Sequence, residues 1–87
     1  MSDPVSWLLV ERGWKVVDAD GEEVGQVEEA IGERDIFSGL VVSTGLLGSS
    51  RWVRADDVAE LTEGCVRLRL SGDGVEQLPE YEPPEVA

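Results

Sequence analysis

Residues 13–27 have the sequence GWKVVDADGEEVGQV, in which two apolar runs flank a polar turn. The pair Asp20-Gly21 predicts a tight hairpin at this turn, because a type I′ turn needs positive φ at both central residues and Asp-Gly tolerates it. Residues 14–18 then form the first strand, and residues 24–31 form the return strand. This hairpin indicates a β fold, and similar short strand patterns follow it along the rest of the chain.

The return strand changes its apolar parity near Gly25. Val27 and Ile31 are an even number of residues apart and would point to one face of a regular strand, whereas Val24 would point to the other face. One extra residue in a strand moves all later side chains to the opposite face, and glycine is common at such places. We therefore expect a β-bulge at Gly25.

Further strand patterns follow, separated by turns that contain glycine. They cover residues 37–43, 51–54 and 65–70, while residues 56–61 suit either a helical turn or a short strand. Ser71 is a candidate N-cap for a short helix that ends before Pro79. Short strands joined in this way predict an all-β fold, a small antiparallel β-barrel with a short helix near its C-terminus.

Composition limits the functions that the chain can have. It has 87 residues with 19 acidic and 7 basic side chains, one cysteine and no histidine, for a formal net charge of -12. It therefore lacks the commonest general base and metal ligand, and it cannot form an intramolecular disulfide or a thiolate zinc cage. The acidic charge argues against binding to nucleic acid or to an anionic membrane, because such binding requires a basic surface. We expect no cofactor and no enzymatic activity.

The chain is long enough for one domain, and its composition divides it into three parts. Residues 1–12 are an apolar segment that packs on the barrel or on a partner, residues 13–79 form the barrel with its terminal short helix, and residues 80–87 are an acidic, Pro-rich tail. Neither a signal peptide nor a membrane-spanning apolar run is evident. We therefore expect a cytoplasmic protein.

The order of these strand patterns resembles the PRC-barrel family. The resemblance starts with the hairpin of residues 13–27 and continues through residues 36–42, 51–53, 57–61 and 64–68. This family is named after the H subunit of the photosynthetic reaction centre, and it also supplies the C-terminal domain of a ribosome maturation factor. The resemblance implies a small β-barrel that docks on macromolecular partners, and it implies no catalytic residues. The chain departs from the family at Arg54, where members often have proline.

An acidic hairpin and several acidic pairs are the candidates for chemistry. Asp18, Asp20 and Glu22 resemble part of a calcium loop, although the glycine comes one residue early, and the alternative is a solvated turn. The pairs Glu22-Glu23 and Glu28-Glu29 suggest paired carboxylates, but adjacent residues of a regular strand point to opposite faces and cannot flank one substrate. The hairpin leaves a second hypothesis open, a small regulatory protein that responds to a divalent cation or ligand.

Apolar residues outside the strand patterns are the candidates for protein binding. They are Trp7, Leu8 and Leu9 in the N-terminal segment, and Leu46 and Leu47 in a glycine-rich loop. The two loop leucines either cover an open end of the barrel or contact a partner. Trp14 and Trp52 lie within strand patterns, so we expect both in the core. The primary hypothesis is a non-catalytic protein-binding or assembly module, with a homodimer as the expected assembly.

Overall fold

Six β-strands dominate the computed structural model, which describes residues 7–34, 36–44 and 49–81. In chain order they are β1 Lys15–Val17, β2 Glu23–Glu33, β3 Ile36–Thr44, β4 Ser49–Arg54, β5 Val58–Thr62 and β6 Cys65–Leu68. The described helices are two 3-10 helices, Trp7–Leu9 and Ala55–Asp57, and one short α-helix, α1 Gly72–Glu76. The all-β prediction and the short helix near the C-terminus are confirmed. No helix within the described ranges is long and apolar enough to cross a membrane.

The strands form one sheet in the order β4-β3-β2-β1-β6-β5. Neighbouring strands are antiparallel except β1 and β6, which run parallel with Val16 opposite Val66. The prediction of a wholly antiparallel sheet is therefore wrong at this pair. The reason is that β4 passes into β5 through the 3-10 helix without reversing its direction, so β6 runs the same way as β1. Among the described strands the sheet is open, with β4 and β5 at its edges, and closure into a barrel is not confirmed.

The turn between β1 and β2 lies where the sequence predicts it, but its type differs. Gly21 has a φ of +89°, and its N–H donates to the carbonyl of Asp18 at 3.0 Å. Arg34 is the only non-glycine residue with positive φ in the described part of the chain, so Asp20 does not adopt the type I′ conformation. A turn closed by one left-handed glycine is the common alternative for slightly longer hairpin loops. The bulged residue is Val24, directly beside the predicted Gly25.

Replacing Gly21 with valine should lower the free energy of unfolding by about 1–2 kcal/mol, since a β-branched residue resists positive φ. The side chain itself has room, because the nearest heavy atom to an added Cβ is Arg67 Nη2 at 3.9 Å. Urea denaturation measures the effect. Gly21→Asn is the control, because asparagine tolerates the left-handed region, and its loss should be smaller. Equal losses for valine and asparagine would contradict a conformational cause.

One apolar cluster forms the core on what we call the inner face of the sheet. Its buried members come from five strands and from α1; they are Val16, Val27, Leu40, Val42, Val53, Val66, Leu68 and Val75. Helix α1 is capped as predicted, since Gly74 N–H donates to Ser71 Oγ at 3.3 Å. Trp14 packs against this cluster. Trp52 does not, because it neighbours the inward Val53 in β4 and therefore lies on the outer face, so its predicted core position is wrong.

The C-terminal segment continues the sheet at β4. Glu80 forms a bridge with Arg51, and Tyr81 N–H donates to the carbonyl of Ser50 at 2.8 Å. The Tyr81 ring stacks on Trp52 with centroids 6.0 Å apart. The packed part of the chain thus extends through Tyr81, two residues beyond the boundary predicted from composition. The remainder of the predicted tail lies outside the described residues.

Candidate functional site

Trp7 attaches the N-terminal 3-10 helix to the hairpin of β2 and β3. Its ring stacks on Phe37 with centroids 5.6 Å apart and planes inclined by 16°. Its Cη2 lies 2.8 Å from the position that a Cβ on Gly32 would occupy, so the indole fits only because residue 32 is glycine. Trp7 is consequently half-buried and attaches the N-terminal segment to the sheet of its own chain, which is one of the two placements that the sequence left open.

The two residues after Trp7 remain largely exposed. Leu8 and Leu9 have 61% and 59% of their surface accessible, and we call them the leucine pair. Leu9 borders a shallow cleft of about 340 Å³ together with Glu11, Trp14 and Glu63. Ile36, at the start of β3, is 71% exposed and was not singled out from the sequence. The other predicted contact residues, Leu46 and Leu47, lie outside the described residues.

Asp18 in the acidic hairpin is buried and already engaged. It is only 3% exposed, and its Oδ1 accepts hydrogen bonds from the N–H groups of Asp20 at 2.8 Å and Glu22 at 3.0 Å. The carboxylate therefore caps the turn. Within the described ranges, no group of three or more histidine, cysteine, aspartate or glutamate residues is placed to hold a metal ion.

Glu28 and Glu29 share one face of the sheet, contrary to the alternation argument. Val27 pairs with Val42 and Glu29 pairs with Val41, which leaves Glu28 as an extra residue in β2. Ser50 Oγ lies 2.9 Å from both carboxylate oxygens of Glu28, and it donates its single hydrogen to them. The bulge has turned Glu28 to the outer face, where Glu29 also lies, because a bulge changes the direction of a side chain.

Cys65 is half-buried in β6, on the face opposite to the buried Val66 and Leu68. It pairs with Lys15 on one side and Thr62 on the other. These three residues line an open cleft of about 290 Å³, with Glu60 and Arg67 also at its wall. The thiol therefore lies among mixed charges on the outer face.

A larger cleft, which we call the α1 cleft, lies between the sheet and α1, and it was not predicted from the sequence. Its volume is about 390 Å³, and it is lined by Val24, Thr44, Arg51, Gly72, Asp73, Val75 and Glu76. Arg51 Nη1 donates to the carbonyl of Leu78 at 2.7 Å, whereas its buried Nε has no hydrogen-bond partner. The alternation of side chains along β4 indicates the orientation of Arg51, because Arg51 lies two residues before the buried Val53 and therefore faces inward.

Comparison with models of known protein families gives no match to this chain, and comparison with curated protein sequences gives none either. The resemblance to the PRC-barrel family therefore stays a prediction.

Proposed function

We propose that the chain is a non-catalytic protein-binding module of PRC-barrel type, that the leucine pair is its docking surface, and that a second copy of the chain is its partner. The observation that carries this proposal is the exposure of Leu8 and Leu9 directly beside an anchored tryptophan. Adjacent large apolar residues held in one place on a charged surface are typical of protein contacts. Trp7 reduces the ordering cost of binding, since it fixes the segment before a partner arrives.

The barrel part of the proposal is supported by the course of the chain at the sheet edges. The edge strands β4 and β5 are consecutive and are separated only by Ala55–Asp57. Arg69 N–H also donates to the Asp57 carbonyl at 2.7 Å, which ties this connection to the end of β6. These two features support a sheet that bends around the single core cluster, as the strands of a small barrel do.

Burial of the leucine pair is large enough to support self-association. Each fully buried leucine stabilises a complex by about 1.5–3 kcal/mol, before the costs of association. The net charge of -12 opposes contact between two copies. Salt screens such repulsion, because the Debye length falls from about 10 Å at 0.1 M to about 3 Å at 1 M ionic strength. Association should therefore strengthen as salt concentration rises.

Light scattering across protein and salt concentrations tests this proposal. We expect a dimer mass at about 100 μM protein in about 0.5 M salt, and we expect the double variant Leu8→Ser/Leu9→Ser to weaken association by at least about 100-fold. Ile36→Ser is the matched control, because it removes another exposed apolar side chain and should leave the mass unchanged. A monomeric mass for the unmodified chain would refute self-association, and an unchanged dimer in the double variant would exclude this surface.

Thermal unfolding of the same protein tests the alternative function, a small regulatory protein that responds to a divalent cation. A ligand that binds only the folded state raises the melting midpoint. Because Asp18 Oδ1 is already bound to two backbone N–H groups, we expect no rise in millimolar calcium. A clear rise would favour a regulator that uses the acidic hairpin.

A further inference from the structure

The free side of the edge strand β4 is covered by the C-terminal segment of the same chain, residues 79–81. Trp52 N–H donates to the Pro79 carbonyl at 3.0 Å. Tyr81 N–H donates to the Ser50 carbonyl at 2.8 Å. The segment runs antiparallel to β4, so it is bound as a short added strand. Addition of a strand to a sheet edge is also a common way in which proteins bind an extended peptide.

Side chains on both faces of this pairing indicate which peptide fits the edge. On the outer face, Tyr81 stacks on Trp52 with centroids 6.0 Å apart and planes inclined by 30°. On the other face, the register places Glu80 directly opposite Arg51, and opposite charges in this arrangement stabilise a strand pair. A segment with an acidic residue followed by an aromatic residue therefore suits β4.

The pairing of the C-terminal segment with β4 is incomplete. Trp52 and Pro79 lie opposite each other in a position where each residue of an antiparallel pair normally donates to the other. Proline has no N–H, so Pro79 cannot donate a hydrogen bond to the Trp52 carbonyl. The pairing also stops there, because Gln77 N–H donates to the Gly74 carbonyl at 3.2 Å in the cap of α1. Strand β4 itself continues to Arg54, so a longer strand without this proline would form more hydrogen bonds.

The C-terminal segment can leave β4 without opening the core. Pro79 and Glu80 are exposed, and Tyr81 is half-buried. Leu78, the residue before the segment, packs against the core cluster, and its carbonyl accepts a hydrogen bond from Arg51 Nη1 at 2.7 Å. Among the described residues, two backbone hydrogen bonds and one ring contact hold the segment beyond Leu78. Segments with so few contacts open locally while the rest of the fold persists.

We propose that the free side of β4 is a docking edge for an extended segment of a partner protein, and that the C-terminal segment occupies this edge until the partner replaces it. The partner segment has an acidic residue opposite Arg51 and an aromatic residue that stacks on Trp52. In the position of Pro79 it has a residue whose N–H donates to the Trp52 carbonyl. A second copy of the chain is disfavoured as this partner, because its own segment carries the same proline. The proposal is independent of self-association through the leucine pair, so failure of either leaves the other unaffected.

Titration of the full isotope-labelled chain with peptides tests this proposal by amide NMR. The first probe, the valine peptide, is a terminally blocked copy of residues 77–82 with valine in place of the proline. We expect saturable shifts at Ser50 and Trp52. The Tyr81 amide should also shift, because the C-terminal segment leaves the edge.

Two matched peptides identify the contacts of the valine peptide. The N-methylvaline peptide has the same side chain without the N–H, and it should bind about fivefold more weakly because the bond to the Trp52 carbonyl is lost. Its substituted nitrogen has room, since Pro79 also has a substituted nitrogen in this position. The alanine peptide has alanine in place of the tyrosine. It should also bind about fivefold more weakly, because it cannot stack on the indole.

Variants of the chain test the competition between the two segments. Tyr81→Ala removes the ring contact of the C-terminal segment, so a larger fraction of molecules has a free edge. The valine peptide should then bind at least about threefold more tightly. Tyr81→Phe is the matched control, because it keeps the ring and should leave the affinity unchanged. The amide spectrum of each variant verifies its fold.

Four results would overturn the proposal. One is the absence of saturable shifts at β4 in the Tyr81→Ala chain up to about 5 mM valine peptide. Another is equal affinity of the valine and N-methylvaline peptides, or of the unmodified and Tyr81→Ala chains for the valine peptide. Shifts confined to β5 would place the peptide on the other edge of the sheet. Shifts of Ser50 and Trp52 on concentrating the unmodified chain alone would assign the edge to the C-terminal segment of a second copy.

Discussion

Replacing Gly39 with alanine is expected to lower the free energy of unfolding by about 3 kcal/mol, because the added methyl group has no space. A Cβ at this position would overlap the carbonyl oxygen of Val53 in β4, and it would lie 2.8 Å from the Cη2 and Cζ2 atoms of Trp52. Overpacking costs about 1–3 kcal/mol, and a backbone oxygen cannot move away by changing a rotamer. The loss therefore lies at the upper end of this range. A domain of this length is stable by only about 4–13 kcal/mol, so the effect is large.

Urea unfolding followed by tryptophan fluorescence measures this change. Ser38→Ala is the matched control, because Ser38 is exposed and immediately precedes Gly39 in β3. Its effect should stay within about 0.5 kcal/mol. The double variant Gly39→Ala/Trp52→Leu separates the two contacts, and we expect little recovery since the overlap with the Val53 carbonyl persists. Full recovery would assign the loss to the indole, and an unaffected Gly39→Ala variant would contradict the close approach of β3 and β4.

The position of Trp52 shows why large side chains are poorly placed from sequence. Its size predicted a core position, but strand parity sends it to the outer face, beside Val41 in the neighbouring strand. Val41 is only 2% exposed although it lies outside the main core cluster. The stacked rings of Trp52 and Tyr81 thus cover the outer face of the sheet at β3 and β4, where Gly39 leaves room for the indole. The partner Tyr81 could not be anticipated, because composition alone placed it in the tail.

Local signals in the sequence predicted local structure well. The glycine at the tip of the first hairpin and the serine that caps α1 depend on neighbouring residues, and both were found from the sequence. The parallel pairing of β1 with β6 joins residues about 50 positions apart, so no local pattern reports it. The bulges at Glu28 and Ser38 arise from the register between β2 and β3. They depend on two strands together and cannot be derived from either one alone.

The candidate sites also differ in how far neighbouring residues in the sequence determine them. Exposure of the leucine pair follows from an apolar segment that precedes the first strand, and the sequence indicated it. The inward orientation of Arg51 could also be predicted from the sequence, because Arg51 and Val53 are two positions apart in one strand and therefore point to the same face. The α1 cleft itself could not be predicted from the sequence, since it forms where β2, β3 and β4 meet a helix from the far end of the chain. That Arg51 Nε has no hydrogen-bond acceptor can be recognised only when the positions of the neighbouring acceptors are known.

The second large effect is expected at Asp18, where substitution with alanine should lower the free energy of unfolding by about 3 kcal/mol. Asp18 is 3% exposed, and its Oδ1 is the acceptor for the N–H groups of Asp20 and Glu22. A hydrogen bond to a charged group stabilises a fold by about 1.5–3 kcal/mol, and the two bonds here share one oxygen, so their contributions do not add fully. The variant would also leave a small cavity beside Gly72, whose position for a Cβ lies 3.5 Å from Asp18 Oδ2.

Asp18→Asn and Asp20→Ala distinguish the role of this carboxylate from that of charge in general. Asparagine keeps an acceptor at the Oδ1 position but loses the charge, so we expect about half of the alanine effect. Asp20 lies exposed in the same turn, and its substitution should change the free energy of unfolding by less than about 0.5 kcal/mol. Urea denaturation compares the three variants at one pH. If Asp18→Ala and Asp20→Ala unfold at the same urea concentration, the turn does not depend on a buried cap, and its stability comes from Gly21 and the strand pairing alone.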